Sequence, residues 1–396
     1  MSLPAPVPPF RVVVTAVGVV SPLGVGATET AVALRTGRDG VSAVTAFDVS
    51  KTRCKTAGQV TALPGDPSLH RASHMMMAAG REVLAGDPVF QPELLIIGTT
   101  SGGMSFGEAF YRALVEQRKT RERAGWLANY LPPKPVLDAQ QACGWGAPSQ
   151  IIANACASGT NAVGHAFQLV RAGLHQRVLC GGYDAISEMV FAGFDSLQAS
   201  TSEKIRPFDK SRTGLVLGEG AALLALEEMA SAQRRGAPIL AEITGYGIST
   251  DSHHLTQPHP SGIGPRQAMV RALADARRTP AEVDYINAHG TATAFNDATE
   301  GTAIAQVFGE RVPVSSTKSM MGHALGAAGA IEAVFSVLAL RQQFLPPNIN
   351  FTELDPAWRL NVVANVSRDA RLRCVVSNSF GFGGTNASIV IEEVPS

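Results

Sequence analysis

Residues 150–181 read QIIANACASGTNAVGHAFQLVRAGLHQRVLCG, and this stretch decides the fold class. Gln150–Asn154 is a short run rich in β-branched apolar residues, the signature of a strand. Ala155–Gly159 (ACASG) contains only small residues and predicts a sharp turn. From Gly159 to Ala172 the apolar residues recur at helical spacing, and Arg177–Gly181 returns to a strand. A strand–turn–helix–strand unit of this kind belongs to a layered α/β protein.

The same grammar runs through the rest of the chain. Further strands are predicted at Arg11–Val20, Leu94–Gly98, Ala221–Leu226, Leu240–Ile248, Tyr285–Ala288, Val312–Ser315, Cys374–Ser379 and Ala387–Glu393. Helices are predicted at Thr28–Thr36, His74–Ala85, Phe106–Gln117, Met229–Arg235, Pro265–Ala276, Asp297–Phe308 and Ala324–Gln342. The strand, loop and Ala/Gly-rich helix near Val314–Leu340 echo the opening unit. A duplicated α/β chain with its seam near residues 230–245 accounts for the echo, dividing it into 1–238 and 239–396. No short-period repeat is present, which excludes a solenoid.

The 396 residues carry 33 Lys+Arg against 33 Asp+Glu, a formal charge of +0, and only 17% of residues are charged. Such balance argues against a general nucleic-acid binder, and the apolar load excludes intrinsic disorder. Sparse charge predicts a large core and a buried subunit interface. Five cysteines (Cys54, Cys143, Cys156, Cys180, Cys374) are scattered and never paired as C-x-x-C, which opposes a disulfide framework and a zinc site. The opening MSLPAPVPPF has no positive charge before its apolar stretch, so no secretory signal is expected. Ala324–Leu340 is nearly apolar but short for a membrane span and carries Glu332. A buried helix of a cytoplasmic protein is the expectation.

Four segments hold candidate chemistry. Cys156 sits in a turn of small residues before a helix, where the positive end of the helix dipole favours thiolate; a buried structural cysteine is the alternative. His289 in NAHGTATAFND follows a predicted strand, where α/β sheets place ligands, and Thr291 and Thr293 could bond a substrate arm. In SSTKSMMGHALGAAGAIEA, Lys318, His323 and Glu332 lie in an apolar stretch where ionised groups are costly unless paired. A purely structural Lys318–Glu332 pair stands open beside a catalytic one. Finally, Gly381, Gly383 and Gly384 around Phe382 form a loop that brings backbone N–H groups close to a ligand, or a plain hairpin turn. It lacks G-K-[ST], and a strand follows it, so it is no phosphate cradle. No carboxylate or cysteine keeps ligand spacing with His253, His254 and His259, and no metal site is read there.

Taken in order, ACASG, NAHGT, TKSMMGHALGAAG and GFGGTN, with RPFDKSRTGLVLGEGA (Arg206–Ala221), resemble the elongating 3-oxoacyl-[acyl-carrier-protein] synthases along essentially the whole chain. The resemblance implies a thiolase-like five-layered αβαβα sandwich of two similar halves. It implies a homodimer, or a heterodimer with a related ketosynthase-like subunit. Acyl carrier protein would bring the substrates on its phosphopantetheine arm, with no other cofactor. Cys156 would hold the acyl group as a thioester, and His289 and His323 would stabilise the enolate left when malonyl-carrier protein loses CO2. Lys318 and Glu332 would hold that arrangement. The N–H groups of Cys156 and Phe382 would form an oxyanion hole, with Phe382 gating the acyl pocket on Gly381 and Gly383. Thr291 and Thr293 would contact the pantetheine.

Three departures from the family pattern bear on specificity. Ala294 and Phe295 follow HGTAT where the family usually has Pro. Ser101 stands where fatty-acid enzymes often line the pocket with a bulkier apolar residue. Gln198 falls where a basic residue is common, and the basic run Arg118–Arg123 is the candidate that compensates in docking the carrier. These point to a specialised carrier or a secondary-metabolite pathway, with a ketosynthase subunit of a type II polyketide system as the alternative. The absence of a second cysteine in Ser377–Asn386 opposes a thiolase. His323, where an initiating synthase has Asn, opposes that class, and Cys156 opposes a non-catalytic subunit.

Overall fold

The computed structural model describes residues 9–63, 65–116 and 125–394. Among the described residues twelve strands build the main sheet; besides the two-residue strands Gly24–Val25 and Asn361–Val362 they are β1 (Val12–Ser21), β2 (Leu94–Gly98), β3 (Ser149–Ile152), β4 (Arg177–Asp184), β5 (Gly220–Glu228), β6 (Ala241–Thr250), β7 (Tyr285–Asn287), β8 (Pro313–Ser315), β9 (Cys374–Gly381) and β10 (Thr385–Glu392). They run in the order β8-β7-β9-β10-β6-β1-β5-β4-β2-β3. Around the central β6–β1 pair the two sides match strand for strand. β2 is parallel to β3 and β4, while β4–β5 and β5–β1 are antiparallel. On the other side β7 is parallel to β8 and β9, while β9–β10 and β10–β6 are antiparallel. Among the described strands the two sides of the sheet meet where Val12–Val14 pairs with Ala241–Ile243.

Eight helices complete the frame: α1 (Ala27–Thr36), α2 (Arg71–Gly86), α3 (Met104–Val115), α4 (Pro133–Cys143), α5 (Ser158–Arg171), α6 (Ile263–Ala276), α7 (Ala294–Phe308) and α8 (Ala328–Gln342). The period-2 alternation of the strands sorts side chains into separate cores. In β5, Ala222, Leu224 and Leu226 enter the central core with α5 and α8, whereas Ala221, Leu223 and Ala225 face α2 and α4. In β9 and β10, Val375, Ile389 and Ile391 point to the same central core, while Val376 and Val390 pack with α6 and α7 residues. The result is five layers, helix–sheet–helix–sheet–helix. In α8 every residue from Ala328 to Leu340 is buried, as befits a helix that is apolar all round. The run Leu325–Gln342, long and apolar enough by composition to cross a membrane, is therefore enclosed between the two sides of the sheet.

Four helices among the described residues escaped the sequence reading: Trp126–Tyr130, α4, Glu188–Ser196 and Lys318–Met321. Helix α4 opens with Pro at its first turn, a position that tolerates it, but neighbouring prolines and a glutamine pair blur its period. Glu188–Ser196 forms a further short helix, capped by Ser187, whose side chain accepts from Val190 N. The expected helix Asp297–Phe308 starts earlier, because Thr293 caps it, and Ala324–Gln342 resolves into a 3-10 turn, Leu325–Ala327, followed by α8. The basic run Arg118–Arg123 lies outside the described residues.

Small residues let α5 and α8 approach at their N-termini. A Cβ on Gly159 would lie 2.7 Å from Gly326 O and 2.8 Å from Ala330 N, both backbone atoms. Gly159→Val should therefore force the two central helices apart and cost about 3 kcal/mol, read as a lowered urea midpoint.

Candidate active site

Cys156 stands in the turn between β3 and α5, two residues ahead of the first helical residue. The turn is held by Ser158, whose hydroxyl donates to Ala155 O (2.6 Å) and accepts from Asn154 N (2.9 Å). Ala155 sits at φ 57°, a left-handed conformation that costs a non-glycine residue energy. That strain is maintained where the chain must turn the thiol into a cavity. The hairpin between β9 and β10 closes over it: Thr385 Oγ1 donates to Asn154 O at 3.2 Å. A Cβ on Gly381 would lie 3.1 Å from Cys156 N. The glycine loop is thus both a hairpin turn and a close backbone approach. The N–H groups of Phe382 and of Cys156 itself both face the sulfur.

The expectation of a lowered thiol pKa is corrected here. Burial dominates and pushes Cys156 up to about 11, opposed by the Lys318 ammonium and the two N–H groups, and reinforced by the Asp184 carboxylate. A helix end acts within one turn and modestly; full desolvation of a thiolate outweighs it.

His289 follows β7, and its backbone is clamped by a buried carboxylate. Glu300 of α7 accepts from His289 N (2.8 Å) and Gly290 N (2.7 Å), and burial raises this acid to about 7. His323 is held by the first half of the chain: its backbone N–H donates to Val216 O (2.7 Å) and its carbonyl accepts from Gly218 N (2.9 Å). The two imidazoles meet edge to face, ring centres 5.2 Å apart. Burial, aided by the Lys318 charge, holds both well below the ordinary imidazole value, so both are neutral. Nδ1 of His289 and both ring nitrogens of His323 have no hydrogen-bond partner among the described residues. Each neutral ring carries one N–H to offer.

Lys318 is fully buried, and its Nζ donates to Glu332 Oε1 on α8. Burial raises Glu332 to about 7 against the pull of Lys318, and its second oxygen has no partner among the described residues. The lysine charge acts on Cys156, His289 and His323 alike. Its pairing with Glu332 is therefore structural and electrostatic at once.

Cys156, His289, His323, Phe382, Gly381, Thr291 and Thr293 line one cavity of about 240 Å³. The two threonine hydroxyls bond each other at 2.9 Å. Lys318 and Glu332 stand behind the wall, and Gly383, at φ 81°, turns the hairpin loop. Phe382 stacks on Phe194, ring centres 5.5 Å apart.

Several contributors carried no sequence signal. Phe194 belongs to the unforeseen helix Glu188–Ser196. Asp184, at the end of β4, accepts from Thr99 Oγ1, Thr100 N, Ser101 N, Ser101 Oγ and Gly326 N at 2.7–2.9 Å. It therefore ties the GTTSGG loop to the start of the second half's central helix. The Ser101 hydroxyl donates to Asp184 at 2.7 Å, and Ser101 is not among the residues lining the Cys156 cavity. Glu300 could have been suspected as an acid on a largely apolar helix.

A thiol, two neutral imidazoles and two N–H donors in one cavity, on a duplicated five-layer sandwich, define a condensing enzyme of the thiolase type. The chain matches the β-ketoacyl synthase N-terminal domain over residues 67–232 and the C-terminal domain over 240–352. It is 36% identical to 3-oxoacyl-[acyl-carrier-protein] synthase 2 of Synechocystis sp., covering 97% of this chain and 98% of that protein. It is 37% identical to the synthase of that name from Coxiella burnetii, covering 97% and 99%. Among solved structures, the ishigamide ketosynthase/chain length factor superposes with a TM-score of 0.92 at 34% identity, covering 98% of this chain and 100% of that one. The ketosynthase ApeO in complex with its chain length factor ApeC from Xenorhabdus doucetiae gives 0.87 at 30%, each chain covered fully. The chain belongs to the β-ketoacyl synthase family.

Because Lys318 is the cation opposing the burial of Cys156, Lys318→Met should raise the thiol pKa further. Iodoacetamide labelling of Cys156 at pH 8 should slow about tenfold, the factor that corresponds to about 1.4 kcal/mol of lost thiolate stabilisation, while its dependence on rising pH is retained.

Proposed function

We propose that this chain carries out decarboxylative condensation of malonyl-carrier protein with an acyl group held on Cys156, yielding a 3-oxoacyl-carrier protein. The observation that carries the reading is the shared cavity: a nucleophilic thiol beside two neutral imidazoles whose ring nitrogens are unspent. Cys156 attacks the acyl thioester, its proton ending on the departing pantetheine sulfur, so that one difficult reaction becomes two easier ones. Malonyl-carrier protein then loses CO2, leaving negative charge on its thioester oxygen. His289 and His323 donate hydrogen bonds to that oxygen, stabilisation that neutral, preorganised donors supply at no reorganisation cost. The enolate carbon attacks the acyl carbonyl, whose oxygen is received by the N–H groups of Cys156 and Phe382, and the Cys156 sulfur leaves.

In this reading Lys318 and Glu332 fix the electrostatics behind both histidines, and Thr291 and Thr293 bond the pantetheine arm. Phe382 gates the acyl pocket by leaving its stack on Phe194, with Gly381 and Gly383 as hinges. Residues 1–238 bring the nucleophile and 239–396 the histidines and the gate. The substrates ride on a carrier protein's phosphopantetheine in the cytoplasm, and no other cofactor takes part.

The subunit partner is a second copy or a related ketosynthase-like chain. Helix α3 supports such a partner: only Ala113 is buried along it, and Tyr111, Leu114 and Val115 are exposed. The polyketide alternative, a ketosynthase acting with a chain-length subunit, gains weight from the ishigamide and ApeO–ApeC likenesses. Co-purification from the native host should return either one chain or two.

Mass spectrometry after incubation with acyl-carrier protein should show the acyl increment on the wild type and none on Cys156→Ala. Cys156→Gln should retain malonyl decarboxylation and lose condensation. His323→Ala should lower the decarboxylation rate about 10²–10³-fold, the usual cost of one such donor. An unmodified wild type would overturn the reading.

A further inference from the structure

We propose that Asp184 is a positioning residue for the condensation, its carboxylate fixing where His323 of the second half stands relative to Cys156 of the first. The proposal rests on the condensation reading above and adds to it a residue that does not line the cavity.

Asp184 is fully buried, and its five partners are neutral. Three of them are backbone N–H groups, which can only donate, the surroundings a carboxylate requires. Burial pushes its pKa up, and these donors pull it back. The two oxygens divide the work. Oδ1 accepts from Ser101 N and from the hydroxyls of Thr99 and Ser101, closing the GTTSGG loop. Oδ2 accepts from Thr100 N at 2.9 Å and Gly326 N at 2.7 Å, one donor from each half of the chain.

Gly326 lies three residues beyond His323. The backbone of His323 is itself bonded to Val216 O and Gly218 N, so the short bridge from His323 to Gly326 is tied to the first half at both ends. Inside the bridge Leu325 sits at φ 50°, a conformation that a non-glycine residue keeps only where its surroundings impose it. The N–H next along the chain, that of Gly326, makes the bond that imposes it. A Cβ on Gly326 would lie 2.6 Å from Thr100 N, so no side chain fits between the bridge and the loop. The loop also reaches the thiol: a Cβ on Gly98 would lie 2.5 Å from Ser158 O, and Ser158 holds the Cys156 turn. Asp184 thus ties the segment carrying the imidazole to the loop that backs the segment carrying the thiol. Released from it, Leu325 is free to relax, and the peptide units leading back to His323 turn with it.

The test measures decarboxylation of free malonyl-pantetheine by the full-length Cys156→Gln protein, with and without a second substitution. Asp184→Ala leaves Gly326 N without its acceptor and should lower kcat about 10–100-fold, the scale of a misplaced catalytic group. KM should change less than about twofold, because the lost placement acts in the transition state. Asp184→Asn should stay within about threefold of the parent, since its oxygen can hold Thr100 N and Gly326 N while its NH2 donates to the Thr99 and Ser101 hydroxyls. The ring Cε1–H NMR signal of His323, assigned with His323→Ala, should shift in Asp184→Ala and hold its place in Asp184→Asn. Should Asp184→Ala not fold, Gly326→Ala lifts the same N–H away through its clash with Thr100 and should give the same loss and the same shift. Unchanged kcat and an unmoved His323 signal in the alanine variants would overturn the proposal. So would a loss in Asp184→Asn as deep as in Asp184→Ala, which would make the charge decisive and not the anchor. A parent that decarboxylates nothing sinks the condensation reading instead, and the ring signal then still decides whether Asp184 places His323.

Discussion

The buried pair of Lys318 and Glu332 is the interaction on which the site depends. Neither group is accessible to water, so removing either partner would strand a charge, a loss of about 3–5 kcal/mol. The pair also does more than neutralise itself. Its cation disfavours protonation of His289 and His323 and offsets part of the burial of Cys156. One ammonium thus adds to the burial that keeps two imidazoles neutral, and keeps the thiol from being more inert still. A hydrophobic replacement of equal volume could fill the space, but it could not impose that field.

The pair can exist only because the fold makes a dry centre for it. Strands of both halves point alternate side chains inward onto α5 and α8, and α8 has no solvent face along Ala328–Leu340. Glycines at 159 and 329 remove the side chains that would otherwise hold the helices apart. The same close approach places the Cys156 turn, at the start of α5, near the segment that carries Lys318 and His323. Asp184 completes the joint, one carboxylate from the first half binding a backbone N–H of the second. Catalytic geometry and the packing of the duplicated halves are a single arrangement.

Much of this was legible beforehand. The turn ACASG betrayed itself by small residues between a strand and a helix, and NAHGT by a histidine at a strand end. The charged trio Lys318, His323 and Glu332 stood out against an apolar background. What stayed hidden shares one cause: its meaning lies in contacts between segments remote in the chain. Asp184 is an ordinary acid until Gly326, 142 residues on, donates to it. Ser101 was singled out only by the family pattern, and nothing in its own neighbourhood announces the hydrogen bond its hydroxyl donates to Asp184. Phe194 reaches the site on a helix of weak period, and pairs with Phe382 from the other end of the chain.

The sequence by itself determined the fold class, the duplication, and the residues proposed to do chemistry, because local periodicity and turn composition are properties of neighbouring residues. The protonation states were decided only by tertiary structure. A thiol at a helix start reads as acidic when the helix alone is considered; enclosed by the second half, it is raised to about 11. The histidines are held neutral because both are enclosed. Desolvation is set by everything that surrounds a group, and no stretch of the chain contains its own surroundings.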